Sequence, residues 1–290
     1  MIISTRPIIS RYDKAFKEDH SRNYHLTIRI APDGFSYVVF SLEKNRYLCL
    51  ETFQAKQFDQ AERTTAALDE VAILRQWITY PFQSVLAIVD NTFNTLIPNP
   101  LYDEKEKGVY LAFNQPFQDN SRIQVDELKT AEAQNIYYLS NSLIEKIKDI
   151  WPNARIAHLQ SVFVESLLIS KRNLTVETQA FIHVRDRNYD LVVLKNDKLV
   201  YINNFKYNTP EDFIYFLLFA FDQLQLNPET ITVTLSGNID KGDKPYDMLY
   251  LYVRNIGFAE RNNTFDYSYM LEGLPVHQYH ILYNALQCEL

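Results

Sequence analysis

FIHVRDRNYDLVVLKNDKLVYINNF, residues 181–205, carries three β-rich runs broken by two short charged stretches. It reads as three β-strands in a row joined by tight turns. Turns between such strands often recruit glycine, yet this stretch has none. Arg185, Asp186, Arg187 and Asn188 fill the first turn, and Lys195, Asn196 and Asp197 the second. Such a turn closes a hairpin, but it offers no bare backbone for a ligand to approach.

Downstream, Thr209 is placed to cap a helix whose first residue is Pro210, with Glu211 and Asp212 in the first turn where the helix dipole favours them. Phe213, Leu217, Ala220 and Leu224 fall on one face of that helix. ITVTLSG (231–237) follows as a short strand. The same order occurs earlier in the chain. HLTIRIA, FSYVVFSL and RYLCLETF are separated by PDG (32–34) and EKN (43–45), and Asp-Gly between alternating apolar runs is a strong hairpin signature. A helix near 61–78 carries Ala67, Val71, Leu74 and Ile78 on one face, and SVLAIVD (84–90) reads as a strand buried on both sides. First turns fall at Asp33 and Asp186, second turns at Lys44 and Asn196, and helix faces begin at Ala67 and Phe213. The element-by-element match indicates a duplicated unit. Two unrelated α/β units are the plainer alternative.

Composition sets the outer limits. The chain has 290 residues, 47% hydrophobic and 22% charged, which suits one large folded domain or two ordinary ones. A formal charge of −7 gives no basic footprint for a phosphate backbone, so nucleic acid is not an expected partner. No apolar run reaches the roughly 20 residues that span a bilayer, and MIISTRPIISRYDKAFKEDH lacks the apolar core of a signal peptide. Cys49 and Cys288, the two cysteines, read as reduced and structural. The cytoplasm is the expected compartment. Six glycines, against roughly twenty for an average chain of this length, leave few ligand-cradling loops, whereas 20 Tyr and 18 Phe favour packing and contact.

The remaining segments extend an α/β reading. Residues 1–23 are expected as an irregular arm, 24–170 as a first lobe and 171–290 as a second. Between the repeats we expect a charged loop at DEKEKG (103–108) and a strand over 109–114. A strand over 134–139, a helix over 141–151 capped by Ser140 or Asn141, a strand in ARIAHLQ and a helix in SVFVESLLIS follow. Beyond the second repeat come a helix around 245–256, a strand near Phe258 and a final docked helix starting near Pro275.

Three antiparallel strands, a helix, a strand, a helix and a strand, twice in one chain, resemble the actin-like fold of actin, sugar kinases and heat-shock chaperone ATPases. The likeness is nearest to the pilus-assembly and secretion branch. Through KLVYINNFKYNTPEDFIYFL, TLSGNI and the C-terminal CEL, residues 24–290 look like the Bacteroidetes family of the domain of unknown function 3822. The resemblance implies a duplicated α/β (ribonuclease H-like) fold with two βββαβα lobes, mixed sheets and an interlobe cleft. In active relatives each lobe opens with an Asp that holds the metal and a glycine-rich turn whose amides bind phosphate. Here that Asp position falls on Arg29 or Ile30, and Asp33-Gly34 sits further on, where it makes the hairpin. In the second lobe His183 and Arg185, beside Asp186, stand where Asp and Gly are expected. Ser236-Gly237 resembles the turn that passes near the base, and reads equally as a glycine ending a strand. Asp33, Gly34, His183, Arg185, Asp186, Ser236 and Gly237 are therefore vestigial cleft positions. No catalytic residue, cofactor or metal is expected.

Other chemistry is thinner. His277 and His280 could share a helix face as metal ligands, with Glu272 and Cys288 near in sequence, but no suitably spaced third ligand follows. We read them as surface histidines. TLSGN lacks the two glycines of a nucleophile elbow, and Cys288 has no cationic neighbour in sequence. Tyr246, Tyr250, Tyr252, Tyr267, Tyr269, Tyr279 and Tyr283 form core or an interaction patch. The expected function is a degenerate actin-like pseudo-ATPase, a non-catalytic scaffold for a protein partner or for self-association. Two alternatives stand beside it. One is a residual nucleotide or small-phosphate binder using Arg185, Arg187 or Lys241; the other is an unrelated α/β enzyme.

Overall fold

The structure, a computed structural model, describes residues 6–55, 61–170 and 178–290. Its elements run β1 (Ile9–Tyr12), β2 (Tyr24–Ala31), β3 (Gly34–Ser41), β4 (Arg46–Gln54), α1 (Ala61–Leu74), β5 (Ser84–Val89), β6 (Asn94–Pro98), α2 (Lys107–Asn114), β7 (Ser121–Leu128), β8 (Ala133–Ser140), α3 (Asn141–Ile150), β9 (Arg155–His158) and α4 (Leu159–Ser170). They continue with β10 (Thr178–Val184), β11 (Asn188–Lys195), β12 (Lys198–Lys206), α5 (Pro210–Gln223), β13 (Thr232–Gly237), α6 (Lys244–Tyr252), β14 (Asn255–Phe258), β15 (Asp266–Tyr267) and α7 (His280–Asn284). The chain divides into two compact units. One holds residues up to 165 with 263–274 and 284–290; the other holds 166–262 with 275–283.

The first unit is built on a sheet ordered β1-β4-β3-β2-β5-β9, with β15 also pairing with β4. β2, β3 and β4 form the antiparallel meander, and β5 returns parallel to β2. That return needs a crossover, which α1 supplies. The helix expected over 61–78 ends at Leu74, and Ile78 lies in a following 3-10 turn, Gln76–Thr79. Ala67, Val71 and Ile78 share one core with Ile28, Tyr37, Val85 and Val89 of the sheet. The second unit repeats the plan as β12-β11-β10-β13-β14, with β10 parallel to β13 and α5 as the crossover. Both second-to-third strand pairs shift register at corresponding places, between Val39 and Phe40 and between Val193 and Leu194. A β-bulge adds an unpaired residue and bends its strand, so its recurrence marks a shared backbone plan.

Local sequence explains the helix starts. Thr209 accepts from the Asp212 N–H at 3.1 Å while Asp212 accepts from the Thr209 N–H at 3.1 Å, a reciprocal cap ahead of Pro210. Ser140 caps α3 through the Leu143 N–H. The first unit differs by an insertion between β5 and α3, a separate sheet ordered β6-β8-β7 whose small core holds Leu111, Ile136 and Tyr138.

Four expectations are corrected. Residues 109–114 lie in helix α2 and not in a strand, with Leu111 as its buried contact. Residues 104–106 of the charged loop form a 3-10 turn. Within the expected arm, Ile9–Tyr12 is a strand on the edge of β4, followed by a 3-10 segment at Glu18–Asn23. The terminal helix breaks into a 3-10 turn over Val276–Tyr279, the short α7 and another 3-10 turn over Ala285–Gln287. Among the described residues no helix is long and apolar enough to cross a membrane.

Candidate functional site

In the second unit β10 carries His183 and Arg185 to the point where β13 ends at Ser236 and Gly237. The parallel register sets His183 beside Ser236 and Val184 beside Gly237. His183 Nδ1 and Ser236 Oγ lie 3.0 Å apart. The Gly237 φ of +83° is the left-handed conformation that glycine adopts without strain, and a Cβ there would stand 2.1 Å from the Val184 carbonyl oxygen. That carbonyl accepts from the Asn238 N–H at 2.8 Å. Gly237 thus lets two backbones meet.

The charged turn is folded onto itself. Arg185, 6% exposed, donates from Nη2 to Asp190 Oδ2 at 2.5 Å, and Asp190 is wholly buried. Asn204 donates to the other Asp190 oxygen at 2.9 Å, Tyr207 donates to the Arg185 carbonyl at 3.0 Å, and the Arg185 N–H closes the turn on the Asn188 carbonyl at 2.8 Å. Asp186 and Arg187 stay in solvent. The opening hairpin is therefore held by a buried ion pair, not by glycine.

The first unit reaches a similar end by other residues. Arg29 on β2 donates to Asp90 just past β5, from Nε at 3.0 Å and Nη2 at 2.6 Å, and meets Asp33 at 3.2 Å. Burial disfavours the guanidinium charge, but the two carboxylates outweigh it and hold Arg29 firmly protonated. The Asp33 carbonyl accepts from the Ala55 N–H at 2.9 Å. Gly34 pairs with Ala31 and Gln54, and a Cβ there would stand 2.0 Å from the Phe53 carbonyl oxygen. Its amide lies inside a sheet.

The histidines expected at the surface are placed otherwise. His280 is buried, and His277 Nε2 lies 2.8 Å from the Ile239 carbonyl and 3.1 Å from Asp240. Cys49 and Cys288 are buried free thiols. Burial raises both pKa values, that of Cys288 to about 12.

A polar cluster in the first unit has no counterpart among the candidates drawn from the sequence. Asp126 on β7 accepts from Tyr137 at 3.0 Å, from the His158 N–H at 2.7 Å and from Ser161 at 2.6 Å. Asn135 donates to Ser161, and Asn94 to Asn135. Ser, His and Asp are neighbours here, yet they are not wired for nucleophilic catalysis. The Ser161 hydroxyl donates to Asp126, while His158 Nδ1 accepts from the Gln160 N–H and Nε2 lies 3.2 Å from the Asn91 carbonyl. Burial pushes the Asp126 carboxyl up to about 6 against these three donors. In SRIQVDEL the apolar side chains of Ile123 and Val125 lie on the opposite strand face from Asp126, so the alternation gives no sign of its burial.

Each unit's mixed sheet, with its meander and parallel return, defines an actin-like fold. Known structures agree. A Bacteroides thetaiotaomicron VPI-5482 protein described as having an actin-like ATPase fold and unknown function superposes with a TM-score of 0.76 at 21% identity, covering 94% of this chain and 99% of its own. A chain of the PilM–PilN type IV pilus biogenesis complex gives 0.57 at 13% identity, covering 92% and 98%. No curated protein matches. The chain belongs to the family described as protein of unknown function (DUF3822), which it matches over residues 13–256.

Two outcomes follow from this wiring. Arg185→Met leaves the buried Asp190 carboxylate without its guanidinium, so unfolding in urea should show a loss of about 3–5 kcal/mol. Adding Asp190→Leu should recover much of that loss, and equal losses in both variants would refute the pairing. The folded-state pKa of Asp126 stands above the roughly 3.9 of an unfolded aspartate. Its extra bound proton therefore stabilises the fold at low pH, and that contribution disappears as pH rises through about 6. Between pH about 4 and 6 the parent should lose stability relative to Asp126→Asn; parallel curves would remove the claim.

Proposed function

We propose that this protein is a degenerate actin-like protein, a pseudo-ATPase of the cytoplasm that works as a non-catalytic scaffold for protein partners. The observation that carries the reading is that the turns opening both units are closed by their own side chains. Phosphate cradling needs exposed amides and a metal-holding carboxylate free to face a ligand. Gly34 is spent in a ladder, Gly237 on a close backbone approach, and Arg185 on Asp190. Asp33 and Asp90 face Arg29.

A scaffold needs a surface in place of a site. Of the late tyrosines, Tyr279 and Tyr283 are core, while Tyr250 and Tyr252 flank Leu251 on an exposed stretch of α6. Aromatic residues of this kind are enriched at the centres of protein interfaces. The likeness to a chain from the PilM–PilN complex supports an assembly role, because that structure is itself a protein–protein complex. The formal charge of −7 supports protein over nucleic-acid partners.

Thermal unfolding with and without millimolar ATP and magnesium tests the reading. The melting temperature should not move. Tight binding at a hundredfold excess over the dissociation constant would add about 2.7 kcal/mol. A clear upward shift that Arg185→Met or Ser236→Ala removes would overturn the pseudo-ATPase assignment.

A further inference from the structure

The two repeats treat their third strand differently. In the first unit β4 carries β1 along its outer edge at Cys49–Thr52 and β15 at Arg46–Tyr47, and Tyr47 through Leu50 are buried. In the second unit the matching strand, β12, ends the sheet, and no described residue pairs beyond it. None of its nine residues is buried. An open edge presents unpaired N–H and C=O groups to any extended chain.

Apolar surface lies beside that edge. Val200 on β12 is 51% exposed. Phe205 stacks on Phe216 of α5, which touches Tyr215, which in turn stacks on Phe219. Tyr215 is 63% exposed and Phe219 54%. An aromatic ribbon therefore runs from the strand onto the helix that covers it. Two local features blunt the edge: the bulge that leaves Val200 unpaired against β11, and the Asn204 N–H, which donates to the Asn203 side chain at 2.9 Å, a bond that an incoming carbonyl can replace.

Charge selects the occupant. Lys198 and Lys206 close the two ends of β12, and the strand has no acidic residue. An antiparallel pair of two β12 strands centred on Ile202 would set each Lys198 against a Lys206, and like charges directly opposite are destabilising. A strand with acidic ends is complementary at both places. We propose that the outer edge of β12 docks an extended segment of a partner protein, apolar at alternate positions and acidic at its ends, which adds to the second unit's sheet and rests its side chains on the ribbon of α5. This deepens the scaffold reading and rests on it. The first unit's own β1 shows the kind of element that such an edge accepts.

The test uses the full chain and a synthetic peptide as long as β12, alternating threonine with valine or isoleucine and ending in glutamate on both sides. Three control peptides are a lysine-ended twin, a twin N-methylated at alternate residues facing the strand, and one N-methylated on the other residues. Fluorescence polarisation should show the glutamate-ended peptide binding about tenfold tighter than the lysine-ended twin. One N-methylated peptide should fail. Hydrogen exchange should slow at amides in residues 198–206. Tyr215→Asp with Phe219→Asp should weaken binding about tenfold, and Lys198→Glu with Lys206→Glu should reverse the preference between end charges. Unchanged exchange in β12, equal binding of both end charges, or indifference to N-methylation would overturn the proposal. So would concentration-dependent dimerisation in sedimentation that Val200→Asp abolishes, because the occupant would then be a second copy. No arm involves nucleotide, so failure here leaves the pseudo-ATPase reading standing, and its failure is read separately by the ATP shift.

Discussion

The ion pair between Arg185 and Asp190 is the constraint around which the second unit's site is arranged. A charge removed from water must be neutralised and hydrogen-bonded, or the fold loses several kcal/mol. Asp190 is fully buried on β11, one pair away from the hairpin end, so the guanidinium of Arg185 must lie back along the strands. The rest follows from that position. Asn204 satisfies the second carboxylate oxygen, Tyr207 takes the Arg185 carbonyl, and the turn closes without glycine. What would be an open loop in a phosphate-binding protein is here a packed corner. In the first unit Arg29 plays a related part from one strand position within the sheet, held between Asp90 and Asp33.

The duplication shows how one backbone plan tolerates different chemistry. Strand order, the parallel return, the crossover helix and the bulge between second and third strands recur. These features depend on strand twist, crossover geometry and apolar alternation, which many sequences satisfy. The turn side chains are free to vary so long as the turn keeps the length and geometry that fix the hairpin register. The repeats also diverge at their margins. One carries a three-stranded insertion and edge strands, while the other, among the described residues, has an uncovered edge strand beside aromatic side chains.

Elements with a local cause were legible in the sequence. The cap at Thr209, the Asp-Gly hairpin at Asp33 and the apolar runs of β5 and β13 announce themselves over a few residues. Elements decided by distant partners were not. ISRY becomes a strand because β4 offers an edge to it. The run VYLAFN is too short for periodicity to separate helix from strand, and it is settled by packing Leu111 into the small sheet's core. SRIQVDEL, which forms β7, needed its partner β8 to be recognised. At the candidate site, the sequence placed Arg29, His183 and Arg185 near the ends of the first strands, but did not show that Arg185 pairs with Asp190 five positions on, nor that Asp126, His158 and Ser161 meet. Hydrogen-bond partners across strands depend on register, and register is a property of the whole sheet.

Closure of both turns is the central claim, and a crystal of the protein soaked in millimolar ATP and magnesium tests it most directly. The account predicts no ordered phosphate against either turn, with Arg185 still on Asp190 and Arg29 still on Asp90. An ordered triphosphate bonded to the amides beside Asp33 or Arg185, with either guanidinium swung away from its carboxylate, would contradict it.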